Sequence, residues 1–125
     1  LLKEKAKTIK SNLLKSVETI NGINTVFLKV DLDAKSMKDI AFQLGGEVEN
    51  LFLVLGSQQQ EKALMCCYIS KSLAESKNLH AGKIIKSLGR FIKGGGGGQA
   101  FFATAGGKNP QGIAEALNEA KTIIS

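Results

Sequence analysis

Lys93-Gly-Gly-Gly-Gly-Gly98-Gln99-Ala-Phe101-Phe102-Ala-Thr-Ala105-Gly106-Gly107-Lys108-Asn109-Pro110 is the stretch around which the chain is organised. The glycines Gly94, Gly95, Gly96, Gly97 and Gly98 have no Cβ to hold a ligand off the main chain and adopt φ > 0 freely. A bulky anion can therefore reach their N–H groups. An apolar run from Gln99 to Ala105 follows and reads as a short strand, then the pair Gly106-Gly107, a lysine, and Asn109-Pro110. Asn is a good N-cap and Pro suits the first helical position, so a helix is predicted to start here. Glycine turn, strand, glycine turn and helix N-terminus, with Lys108 at the junction, predict a cradle for an oxyanion. The plain alternative is a flexible connector, but a connector has no need of the second glycine pair or of an apolar segment between the two.

Working outward, the 125 residues suit one domain with one core. Hydrophobic residues make up 43% and charged residues 22%, a globular composition. The apolar runs Leu51 to Leu55 and Ala63 to Ile69 are both far short of the ~18 residues that cross a bilayer. No hydrophobic leader is visible, so no membrane association and a cytoplasmic location are expected. Seventeen Lys and Arg against eleven Asp and Glu give a net charge of +6, which favours a polyanionic partner. All but Arg90 of the basic residues are lysines, point charges toward phosphate, so recognition of backbone and shape is expected over reading of base edges. The adjacent Cys66 and Cys67 lie in an apolar run and read as reduced core residues; with a single histidine, His80, they cannot build a metal site. His80 lies near a helix start and is expected to make a local hydrogen bond.

Leu2, Ala6, Ile9, Leu13, Val17 and Ile20 recur at spacings of three and four and predict a helix of about five turns. No N-cap precedes it, so the chain is expected to begin inside a longer helix. Residues 1–22 are thus read as the tail of a linking or coiled-coil helix, ended by Asn21-Gly22, and 23–125 as the globular domain. Val26, Leu28 and Val30 alternate as a strand. Ser36 and Asp39 resemble a capping box, and Met37, Ile40, Ala41 and Leu44 give the helix an apolar face before Gly45-Gly46. Leu51 to Leu55 and Ala63 to Ile69 predict a buried hairpin. Lys71 to Lys77 reads as a loop and Asn78 as the cap of a helix over 79–92. Ile113, Ala114, Leu117, Ala120 and Ile124 predict a closing amphipathic helix. The fold class is α/β: a mixed sheet of about four strands in a split βαβ order with helices packed on it, preceded by the linking helix.

The helix over 79–92 carries a second signal. Ala81, Ile84, Ile85, Leu88, Phe91 and Ile92 fall on one side, while Lys83, Lys86, Arg90 and Lys93 repeat at three, four and three on the other. Four positive charges in one row lead into the glycines. A solvated lysine face is the alternative to a row that lies against phosphates.

The glycine block Gly94 to Gly98, the step Ala105-Gly106-Gly107-Lys108-Asn-Pro110 and the closing helix with Ala116-Leu117 together resemble the C-terminal, DHH-associated domain of bacterial alanyl-tRNA synthetases. The resemblance implies a non-catalytic module that binds the outer corner of tRNA(Ala) and brings the aminoacylation and editing domains of the same chain onto one tRNA. It also implies dimerisation through the helical part. Carried over by motif, the binding positions are Gly94 to Gly98, Gly106, Gly107 and Lys108; the row Lys83, Lys86, Arg90 and Lys93 is read from spacing alone. No cofactor is expected in this domain, while the parent enzyme is expected to use ATP, Mg and Zn. One departure stands out: the family's Arg-Pro-Asp-like step after the glycines is replaced here by Gln99-Ala-Phe-Phe102.

Two other functions fit parts of the pattern. One is the substrate-binding domain of a DHH-family phosphoesterase, whose relatives often place a histidine where this chain has Gln99. The other is a structural dimerisation module built on the helix Leu1 to Ile20. No Ser, Cys or carboxylate arrangement supports catalysis by this chain itself. Of Phe101 and Phe102, adjacent and so facing opposite ways in a strand, at least one is expected in the core, and one ring could offer a surface for stacking.

Overall fold

A computed structural model describes residues 11–20, 22–30, 32–76 and 79–124. Residues 11–15 are helical, and six strands follow in one sheet: β1 (Glu18–Ile20), β2 (Ile23–Val30), β3 (Leu51–Gln59), β4 (Lys62–Ile69), β5 (Gly94–Gly98) and β6 (Phe102–Gly107). The helices are α1 (Ala34–Glu47), α2 (Lys71–Ser76), α3 (Ala81–Gly89) and α4 (Ile113–Ile124), the last entered through a 3₁₀ turn at Pro110–Gly112. The strands lie in the order β1-β2-β3-β4-β6-β5. Only the β2–β3 pair is parallel, because α1 crosses between them; the other neighbours are antiparallel.

The sheet is sandwiched. In β3, Phe52 and Val54 face one core cluster while Leu51, Leu53 and Leu55 face the other, and all five are fully buried. A strand buried on both faces reads as an unbroken apolar run, which is why this one was visible in the sequence. The first face is covered by α3, α4 and Leu73 of α2; the second by α1 and Leu13. Cys66 and Cys67, being successive, point into opposite clusters and cannot bond to each other.

Several expectations need correction. The predicted N-terminal helix does not reach Ile20, since residues 18–20 form β1 and pair with β2, Ile20 opposite Ile23; residues 1–10 of that prediction lie outside the described residues. The two-residue Asn-Gly link, read as a helix stop, joins a hairpin instead, a use for which Asn-Gly is equally suited, and Gly22 has φ +80. Thr25 Oγ1 donates to the Glu18 carbonyl and ties that hairpin down. The sheet therefore has six strands in place of about four, β1 and the glycine strand being the additions. The cap of α1 is Asp33, whose Oδ1 accepts from Ser36 N at 2.8 Å, so Ser36 is not the N-cap. α1 also runs through Gly45 and Gly46: a Cβ at Gly45 would lie 2.2–2.4 Å from the Tyr68 ring, so this glycine lets the helix approach the sheet and does not end it. Residues 71–76 are helical where a loop was expected, and the helix predicted over 79–92 is regular only from Ala81 to Gly89. Its cap is His80, whose Nδ1 accepts from Lys83 N at 3.2 Å, the local bond expected of that side chain; the expected cap, Asn78, lies outside the described residues.

Candidate nucleic-acid interface

The central correction concerns the glycines, which were expected to form turns. Gly94–Gly98 is itself a strand, the outermost one, and none of the five has a positive φ. Gly106 and Gly107 are the last residues of β6 and pair with Gly95 and Gly94, so the two glycine motifs lie side by side. Glycine is poor in a strand unless another backbone must come close, and here two do. A Cβ at Gly96 would stand 2.1 Å from the Thr104 carbonyl oxygen, and Gly94 and Gly98 would clash with β6 in the same way. From above, α3 rests its own glycines on the strand: a Cβ at Gly82 would lie 2.8 Å from the Gly98 oxygen, and one at Gly89 3.2 Å from the Gly94 oxygen. Gly95 and Gly97, by contrast, point to the other face, where an added Cβ meets nothing within 4 Å.

The expected helix-N-terminus seat is filled by the protein. Asn109 N donates to the Ile92 carbonyl, Asn109 Nδ2 to the Phe91 carbonyl, and a Cβ at Gly112 would strike the Phe91 oxygen. The space before α4 therefore holds the carbonyls of the α3–β5 turn, and Asn109 makes no side-chain cap bond. At the other end of β5, the turn after the glycines caps α3: Ala81 N donates to the Ala100 carbonyl and Gly82 N to that of Gln99.

The basic row does sit beside the glycines. Lys83, Lys86, Arg90 and Lys93 are all exposed. At 100° per residue, Lys86 lies about 50° round α3 from the line of Gly82 and Gly89, and Lys83 and Arg90 about 100° round, on the side away from the core. Because that glycine line rests on the outermost strand, Lys83, Lys86 and Arg90 lie on the exposed side of α3 beside the edge of the sheet, and Lys93 directly precedes β5. Lys83 to Arg90 spans about 10 Å at helical rise, against about 16 Å for a five-residue strand, and Lys93, with φ +53, sits in the turn that leads into β5. Lys108 lies at the far end of this edge, where it lines a cleft of about 590 Å³ with Lys29, Gln58, Gln60 and the acidic Glu61. From Ser76 to Ala114 the sequence has no acidic residue and six basic ones, a local excess of positive charge.

Sequence reasoning missed the other side of the hairpin. Where α1 stops short of β5 and β6, a cleft of about 310 Å³ opens between Lys38, Phe42, Gly97 and the Phe101–Thr104 segment. Phe42 is 42% exposed and stands outside the apolar stripe of α1, which was the available signal. Both Phe101 and Phe102 are half-buried, so neither is the fully buried ring that strand alternation suggested.

Burial pushes the Cys66 thiol up to about 12 and Cys67 well above its ordinary 9.0, so both are protonated and poor nucleophiles. No cluster of His, Cys, Asp and Glu among the described residues could hold a metal ion, and no described helix is long and apolar enough to cross a membrane.

Residues 20–125 match the DHHA1 domain. The chain belongs to the DHHA1 domain family. This DHHA1 domain is 57% identical over 124 residues to the alanine–tRNA ligase of Christiangramia forsetii and 46% identical over 124 residues to that of Flavobacterium psychrophilum. In each case 99% of the chain is matched, but it spans only 14% of the relative's length. Among solved structures it is similar to the C-Ala domain from Aquifex aeolicus alanyl-tRNA synthetase, with a TM-score of 0.78 at 24% identity over 87% of this chain and 97% of that one. The α/β fold expected for the DHHA1 domain is thus the fold observed.

Proposed function

We propose that this DHHA1 domain is the non-catalytic, tRNA-binding module of an alanine–tRNA ligase, acting in the cytoplasm. It binds the corner of tRNA(Ala), and by holding that corner it keeps one tRNA in reach of aminoacylation and editing domains elsewhere in the same chain. The observation that supports the reading is the exposure of Lys83, Lys86, Arg90 and Lys93 next to an outermost strand that has no side chains. A phosphate backbone can lie against that edge at main-chain distance while the ammonium and guanidinium groups neutralise it. Lys108, Gly106 and Gly107 extend the contact at the far end, and Gly94 to Gly98 form its floor.

In this reading the domain has no chemistry of its own. The ATP, Mg and Zn expected of the parent enzyme would be held outside this chain, and any homodimer would form through the N-terminal helix, of which residues 11–15 are described. Binding is tested by gel shift of this chain with tRNA(Ala) and with a tRNA of another specificity. Complexes with dissociation constants below ~100 μM support the reading; no complex at that concentration refutes it. Coupling is tested in a full-length ligase: deleting the domain should lower aminoacylation and editing of tRNA together, while amino-acid activation, which needs no tRNA, is unchanged.

A further inference from the structure

The cleft beneath Phe42 is separate from the basic edge, and its lining has a different character. Its walls are Phe42 from α1, Phe101 from the turn after the glycines and Phe102 at the start of β6, and among the described residues its only charged lining residue is Lys38, one helical turn before Phe42. Part of its floor is Gly97, where no Cβ intrudes. The rings are held in place: Phe42 stands edge-to-face on Tyr68 with centroids 5.5 Å apart and tilts against Phe102 at 5.0 Å, and Lys71 Nζ lies 5.9 Å over the Phe101 ring. Phe42 is nonetheless 42% exposed, a large apolar ring left open at the mouth of a concavity.

We infer that this cleft takes one unpaired nucleobase of a bound RNA, stacked on Phe42 and Phe102, with an adjoining phosphate on Lys38. The inference rests on the RNA-binding reading above and adds a site to it. Four observations favour a base over other occupants. Flat ring faces beside Gly97 and Gly98, which add no side chains, admit a planar ring. The cleft volume of about 310 Å³ is at the low end for small-molecule sites. The single lining charge is positive, as a nucleotide requires. Finally, the cleft borders the same β5–β6 hairpin as the basic row, but on the opposite face of the sheet. A strand whose phosphates follow the edge can therefore turn one base inward round it.

The test uses fluorescence anisotropy of this chain with two labelled RNA hairpins, one fully paired in its stem and one with a single unpaired adenosine in the same stem. Stacking of one base is worth about 1–3 kcal/mol, a fold-change of roughly 5 to 150, so the bulged RNA should bind about tenfold tighter. Phe42→Leu keeps the apolar volume and removes the ring; it should abolish that preference and leave the affinity for the paired RNA unchanged. Phe42→Tyr should preserve it, and Lys38→Gln should reduce it. Equal binding of both RNAs by the unaltered chain, or a Phe42→Leu loss equal for both, overturns the stacking site while leaving RNA binding intact. Binding of neither RNA overturns both readings.

Discussion

Replacing Gly96 and Gly97 in turn by alanine separates two reasons a strand can be made of glycine. A methyl at Gly96 would be driven to 2.1 Å from the Thr104 oxygen and 2.6 Å from the Ala105 Cα, both main-chain atoms of the paired strand that have no rotamer to escape into. Overpacking of this kind costs about 1–3 kcal/mol. The same methyl at Gly97 meets nothing within 4 Å, at a residue whose φ is not positive. There the loss of freedom in the unfolded chain should stabilise by about 0.4–1 kcal/mol. The two single-methyl variants should thus differ by roughly 1.5–4 kcal/mol, or about 5–15 °C in melting temperature at this chain length. Circular dichroism melts and urea titrations of the two proteins measure it, and equal stabilities would refute the close packing of β5 against β6. The Gly97 variant carries a second consequence: its methyl intrudes on the floor of the Phe42 cleft, so it should bind the bulged RNA less well although it is the more stable of the two.

Other outcomes are expected. Cys66 and Cys67 should resist a thiol reagent at pH 8 in the native protein and react promptly in denaturant; fast native labelling would contradict their burial. Both thiols keep their protons in the folded chain where unfolded thiols, with an ordinary pKa of 9.0, lose them. Stability should therefore be intact below pH 9 and fall as pH rises from about 9 toward 12, less steeply in a Cys66→Ala protein; an identical alkaline limb would contradict this. The Asp33 carboxyl is held below its ordinary 3.8, chiefly by the Ser36 N–H. Its contribution is present above that value and lost as pH falls through the lowered one, and Asp33→Asn should keep the cap while flattening the acid limb of a urea-midpoint profile. A Gly82→Ala protein should melt lower than wild type, since its Cβ would lie 2.8 Å from the Gly98 oxygen; an unchanged melt would place α3 farther from the strand.

What could be read from the sequence followed from whether burial leaves a pattern. Leu51 to Leu55 and Ala63 to Ile69 are apolar because both faces of the sheet are covered, and α4 shows its stripe because one side is wet. The glycine strand left no such pattern. Its partners contribute backbone, not side chains, so the signal for it is spread over Gly82, Gly89, Gly106 and Gly107, each ambiguous alone. Asn21-Gly22 was ambiguous in another way, serving helix ends and hairpins alike, and only the β-propensity of residues 23–30 on one side leaned toward a hairpin. Within the site, the spacing of Lys83, Lys86, Arg90 and Lys93 gave the ridge. The cleft was hidden because Lys38 and Phe42 are brought to Phe101 and Phe102 by tertiary packing across about 60 residues.

The most direct measurement is the salt dependence of tRNA(Ala) binding before and after Lys83, Lys86, Arg90 and Lys93 are all changed to glutamine. If the row neutralises about four phosphates, log affinity should fall with log salt at a slope near −3 to −4 in the unaltered chain. In the variant, the slope should shrink to about −1 or shallower, the share left to Lys108. A slope that survives the four substitutions would place the tRNA backbone elsewhere on the molecule.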